Sequence, residues 1–287
     1  MSKLYTAPEQ PYLLRLIPTL ICILILAFFV SFFYGMLIAL SPLVYINFFI
    51  TTLFGLTLGY GVRIISKIFK ILEKKILIGL SITSGIFGVY FSWVAFMLYF
   101  VAEGAILHAY FIEFLLVFEP LVVIDILKEM NAQGLWEIFR INFKGWILSI
   151  IWIIEAGIII GMPLKVALEQ KQAPFSMSSN KWYKKYILQK DFTSIFRKKL
   201  FLEAIHENCI TTINELDNGK ATRFARISVY YLKEENEQYL SVENVTRAKN
   251  GKKENAQDVI HLLLISTSEA RALIENYHAK EAFIFDY

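Results

Sequence analysis

Between residues 12 and 164 the chain carries runs of Leu, Ile, Phe and Val on which no polar face can be drawn for ~20 residues at a time. A helix in water needs a polar side, so these runs limit the possible folds more than any other feature. Each is long enough to cross a hydrocarbon core of ~30 Å. Residues 165–287 have the composition of an ordinary soluble chain, and the step between the halves is the main domain boundary. The predicted fold class is a membrane all-α bundle of four transmembrane helices followed by a small soluble α+β domain.

The spans read as residues 13–40, 43–65, 76–102 and 146–164. Ser41 and Pro42 break the first ~50 apolar residues into two helices, because proline ends a helix and one crossing needs only ~20. The predicted domains are an N-terminal segment at 1–12, the bundle at 13–164 with an outer-face helical segment at 103–144, a basic juxtamembrane linker at 165–190, and the α+β domain at 191–287. The first apolar run is too long for the core of a cleavable signal.

Charge orients the spans. Arg63, Lys67, Lys70, Lys74 and Lys75 lie between the second and third, against the one acid Glu73. Lys165, Lys171, Lys181, Lys184 and Lys185 follow the fourth. Lysine and arginine favour the cytoplasmic side, which puts both termini in the cytoplasm and requires an even number of crossings. The stretch 104–127 tests that count, since it is apolar enough to suggest a fifth span. It also holds His108, Glu113, Glu119 and Asp125, and each ionisable group costs ~2.5–3.5 kcal/mol at mid-membrane while each large apolar residue returns ~0.3–0.6. An outer-face or partly re-entrant helix is the preferred reading, with Trp136 and Trp146 at the interface.

Within the spans, small residues recur at helical spacing: Gly55 and Gly59 in the second, Ser84, Gly88 and Ser92 in the third, Gly157 and Gly161 in the fourth. Such stripes let helices approach closely, within one chain or between chains. Glu155 is the anomaly, one acid inside the run IIWIIEAGIII. An embedded carboxyl faces the bundle interior, with Ser84 and Ser92 among its polar neighbours. It is either packing glue, a proton or cation site, or an oligomer contact.

The segment 63–76 reads as an amphipathic helix resting on the membrane surface. With Lys184 and Lys185 it forms a basic collar for anionic lipid headgroups, at ~1 kcal/mol per base near the surface. Nucleic acid is not expected as a partner, because lipid is closer at hand. In the tail, a helix capped by Asp191 runs through Leu202, Ile205, Cys209, Ile213 and Leu216 to Gly219. A hairpin, a third strand and a helix capped by Ser268 follow.

No catalytic set, cofactor motif or metal spacing is present. The histidines are scattered, and GYGVRI has neither the third glycine nor the preceding strand of a nucleotide site. The chain is therefore read as a multi-pass membrane scaffold or assembly protein, not an enzyme. Its tail would dock a partner or a second copy of itself, as a homo-oligomer or a membrane-complex subunit. The layout resembles that of bacterial inner-membrane proteins, with no family named. The alternatives are a small transporter or ion channel using Glu155, and a lipid-modifying enzyme with outer acids such as Glu113 and Glu119.

Overall fold

The computed structural model describes residues 4–6, 13–41, 44–101, 119–134, 136–138, 141–171, 173–248 and 254–282. Eight helices occur among them, and the chain divides into two compact units, Gln10–Gln170 and Met1–Glu9 together with Lys171–Tyr287.

In the first unit four helices are long and apolar enough to cross a membrane: α1 (Leu13–Leu40), α2 (Val44–Ile68), α3 (Lys74–Val101) and α5 (Trp146–Glu169). α1 packs on α2 and α3, and α5 packs on the same two helices from the other side. The close approaches are made by glycine. A methyl group at Gly55 would stand 2.8 Å from Met162 Cβ, and one at Gly59 would stand 2.9 Å from Pro163 Cα. Gly88 meets Leu58, while Gly35 and Gly85 make similar approaches to Ala95 and Ile160. Gly157 and Gly161 meet nothing within 4 Å among the described residues, so the stripe on α5 takes no part in the packing among them. Outside these seams the helices turn apolar side chains outward. On α1, Leu14, Ile17, Ile21, Ile25, Phe29 and Phe33 form one exposed stripe at helical spacing. In water such a stripe would be a large unpaired apolar patch, whereas lipid tails cover it at no cost.

The surface helix expected over 63–76 does not form. α2 runs on to Ile68 and closes in a Schellman turn. Lys70 takes the left-handed conformation at φ 59°, Ile71 N–H donates to Ser66 O at 2.8 Å, and Lys70 N–H donates to Lys67 O at 3.2 Å. α3 starts four residues later, and Lys74 Nζ donates to Leu168 O near the end of α5 at 2.9 Å, a cation on a helix C-terminal carbonyl.

Residues 102–118, with His108 and Glu113, lie outside the described residues. The rest of the outer segment forms α4 (Pro120–Gln133), started by proline in its first turn. Its 14 residues rise only ~21 Å, short of a crossing. Val123 packs against Val94, Met97 and Leu98 of α3, and Asn131 Nδ2 donates to Ser149 Oγ of α5 at 2.6 Å. Glu119 and Asp125 are exposed. A two-stranded ladder, β1 (Trp136–Ile138) with β2 (Ile141–Phe143), leads into α5.

The second unit contains a five-stranded antiparallel sheet in the order β8-β7-β6-β5-β9. Its strands are β5 (Lys184–Ile187), β6 (Arg223–Tyr231), β7 (Glu237–Arg247), β8 (Glu254–Ser266) and β9 (Lys280–Glu281). Alternation sorts the side chains. Ile227, Val229, Leu240, Val242 and Ile260 face α6 (Lys198–Glu207), α7 (Cys209–Asn214) and α8 (Thr267–Asn276). Tyr183, Tyr230, Leu232, Tyr239 and Leu262 form a second cluster. A bulge lets β8 serve both clusters: Leu262, at φ 51°, directs its N–H to Ser241 Oγ at 3.0 Å, and the next residue, Leu263, returns to the helix side.

The basic linker expected at 165–190 is different in the structure. α5 continues to Glu169, and the chain from Lys171 on is folded into the second unit through β3 (Phe175–Ser176), β4 (Lys181–Trp182) and β5. The short basic strand KKYI carries no apolar alternation, so pattern reading passed over it. The expected helix from Asp191 begins instead at Lys198. The intervening Phe192 pairs with Ala225 across the sheet edge, and Asn244 clamps both backbone groups of Ile195. That helix is also split, with Asn208 capping α7 by accepting from Thr211 N–H at 3.0 Å. The last helix is capped by Ser266, not Ser268, in a reciprocal capping box with Glu269.

Candidate functional site

Two concave regions stand out, one in each unit. In the bundle, Glu155 is 8% exposed and points into a cavity lined also by Tyr34, Ser92, Trp93, Phe96 and Trp152. Helical spacing builds it: Trp152, Glu155 and Ile159 share one face of α5, and Val89, Ser92, Trp93 and Phe96 share one face of α3. The two indoles meet edge to face at 4.7 Å, and Tyr34 stacks on Phe54 at 4.3 Å. The Tyr34 and Thr51 hydroxyls are 2.8 Å apart, and Thr51 donates on to Asn47 O. Ser92 donates to Val89 O, and Trp152 Nε1 is a buried donor that meets no acceptor among the described residues. The room left is 30 Å³, enough for one or two waters at ~10–15 Å³ each and too little for an organic substrate.

Of the polar residues singled out in the spans, Ser92 joins Glu155 here and Ser84 does not. Ser84 is fully buried two turns away, its hydroxyl without a partner among the described residues. Tyr34, Trp93 and Trp152 give the cavity its character and were not singled out. In a chain with 24 Phe and 15 Tyr, aromatics are background until packing sorts them.

The basic residues separate. Lys184 is exposed and pairs with Glu281 at 3.0 Å, whereas Lys185 is buried at 9% exposure. Lys171 bridges Glu243 at 2.7 Å and Asp258 at 2.8 Å. Arg63, Lys67, Lys70, Lys74 and Lys75 all belong to the bundle unit, at the α2–α3 turn.

In the second unit an open cleft of 890 Å³ lies beside the tyrosine cluster, lined by residues 4–6, by Phe175 to Ser178, and by Tyr183, Glu235, Glu237, Tyr239 and Leu264. Tyr239 packs edge to face on both Tyr5 and Tyr183, each at 5.2 Å. Glu235 accepts hydrogen bonds from the hydroxyls of Ser176 and Ser178, which hold its carboxyl below the usual range. Burial raises the Tyr183 and Tyr239 phenols, so both stay protonated at neutral pH. Sequence reading missed this cleft because its parts lie at opposite ends of the chain. Tyr5 N–H donates to Leu262 O at 3.0 Å, Leu4 bridges Leu263, and Phe175 N–H donates to the Tyr5 hydroxyl at 3.1 Å.

A third, smaller cleft carries His206, Cys209 and Glu269. Burial, with Glu269 adding to it, pushes the Cys209 thiol up to about 12, which suits an inert core residue and not a nucleophile. No group of three His, Cys, Asp or Glu side chains among the described residues could hold a metal ion.

Comparison of the chain with protein-family models, with curated proteins and with solved structures gave no match.

Proposed function

We propose that the chain is a multi-pass membrane protein whose bundle anchors a soluble unit at the cytoplasmic face, and that this unit docks a partner protein or a second copy of the chain. The observation that carries the reading is that the second unit is assembled from both ends of the sequence, Met1–Glu9 and Lys171–Tyr287. One folded unit occupies one side of a bilayer, so the intervening chain crosses an even number of times. Four candidate spans satisfy that parity. The bases at the α2–α3 turn favour the cytoplasm for that side. A unit with its own core and an open cleft, tethered at two points, suits recognition at a fixed membrane address. Crosslinking in cells, followed by purification of the full chain in mild detergent, tests this. A partner or a self-dimer in fixed ratio is expected, and a monomer with no crosslinked species would contradict it.

A second reading, a small transporter or ion channel, is favoured by the placement of Glu155 in a water-sized cavity among aromatics. It requires ion flux into proteoliposomes that Glu155→Gln abolishes. Flux equal to that of empty vesicles would exclude it.

A further inference from the structure

We propose that the cleft bounded by Tyr5, Tyr183, Tyr239, Glu235 and Glu237 is a receptor for a lysine or arginine side chain presented by a partner protein, an inference that rests on the docking reading above. The cleft is open, with a volume of 890 Å³, room for a side chain of a partner to lie in it.

The lining has a definite polarity. The floor is aromatic: Tyr183 and Tyr239 are 4% and 8% exposed, with Tyr5 set edge-on against Tyr239. The rim is apolar at Leu4 and Met177, both about half exposed. The wall carries two carboxylates, and among the described residues no lysine, arginine or histidine lines the cleft. Glu235 accepts from the Ser176 and Ser178 hydroxyls on one oxygen, with Ser179 adding to the hold, so its carboxylate is fixed in place at the cleft wall. Glu237 is exposed beside it.

An apolar stem that ends in a cation matches this order of surfaces. The methylenes of lysine or arginine lie along Leu4, Met177 and the tyrosine floor, and the charged head reaches the two carboxylates. Its N–H donors form charge-assisted hydrogen bonds, and the aromatic faces add attraction for the cation. A quaternary ammonium headgroup has no N–H to give the carboxylates, so choline lipid fits less well. An acidic segment would be repelled. The chain as a whole has a formal charge of +4, so attraction of a basic peptide is local to this cleft and not a property of the entire surface.

The test is calorimetric titration of the full chain in a neutral detergent. The probes are blocked peptides of sequence Gly-Lys-Gly-Lys-Gly and Gly-Arg-Gly-Arg-Gly, a citrulline version that is isosteric but neutral, and choline. Saturable binding of both basic peptides is expected, weakened by salt, with the citrulline peptide at least about tenfold weaker. The double variant Glu235→Gln, Glu237→Gln should weaken binding by about tenfold or more, and Met177→Lys should do the same by placing an ammonium group of the protein's own in the cleft. Glu203→Gln, an exposed acid on α6, should leave binding unchanged. Circular dichroism and the melting temperature check that each variant is folded. Wild-type affinity in the folded double variant, the absence of any binding, or choline competing as well as lysine would each overturn the proposal, the last assigning the cleft to a lipid headgroup. A partner that still crosslinks to the double variant would sink the cleft and leave docking standing. Peptide binding with no crosslinked partner would do the reverse.

Discussion

Lys70 closes α2 in the left-handed region, where a side chain beyond Cα is strained and glycine is not. Lys70→Gly should therefore raise the stability of the bundle in detergent by about 0.5–1 kcal/mol, read as a higher melting temperature. Cys209 shows the opposite kind of constraint. Its thiol is 1% exposed and pushed up to about 12, so a maleimide should leave it unmodified in the folded chain and label it fully in denaturant. Labelling at equal rates in both states would mean that the core around α7 is open. His261 gives a pH dependence. Burial lowers its pKa from 6.5, outweighing the pull of Asp258 in the other direction. The unfolded chain therefore binds a proton that the folded chain refuses, and stability falls as pH drops below about 6.5. His261→Gln should flatten the melting temperature between about pH 7 and about pH 5. Glu155 could be picked out of the sequence because a lone acid in an apolar run is expensive anywhere in lipid. Its aromatic neighbours could not, because nothing in a sequence rich in Phe and Tyr separates ring against ring from ring against lipid.

At the level of elements, long apolar helices announce themselves and short strands do not. The limits of α1 were readable at Ser41 and Pro42, and the start of α5 at Trp146. β6, β7 and β8 were readable from alternation and the intervening polar turn. β5 and β9 were not, since a strand of four residues with two lysines has no period to detect. The helix start near Asp191 shifted because Phe192 finds a backbone partner, Ala225, that a local reading does not contain, whereas the cap at Ser266 is local: it stands three residues before Glu269, the capping-box spacing, and Ser268 does not. A buried amide holds β6 to β7. Gln238 is 0% exposed, accepts from Leu232 N–H at 2.8 Å and donates to Leu232 O at 3.0 Å, closing the β6–β7 turn from inside. Gln238→Leu leaves both backbone groups unpaired in an apolar setting. It should cost about 2–4 kcal/mol, measured by thermal unfolding of the full chain in detergent. A loss below about 0.5 kcal/mol would show that water reaches the turn.

At the level of the whole molecule, the apolar first half fixed the membrane reading from sequence, whereas the joining of the two chain ends did not show in it. Residues 4–6 carry no strand signature. They matter because Leu263, more than 250 positions away in the sequence, offers them a β-bridge. That contact supplies one wall of the cleft, and under the proposed function it ties both parts of the second unit to one side of the bilayer. The measurement that bears most directly on this is labelling of Thr6→Cys and Lys280→Cys, made singly, with a membrane-impermeant maleimide in sealed vesicles of both orientations. Both positions should react in vesicles that expose the cytoplasmic face and resist in those that conceal it. Reaction of the two positions from opposite faces would contradict the shared unit and, with it, the even number of crossings.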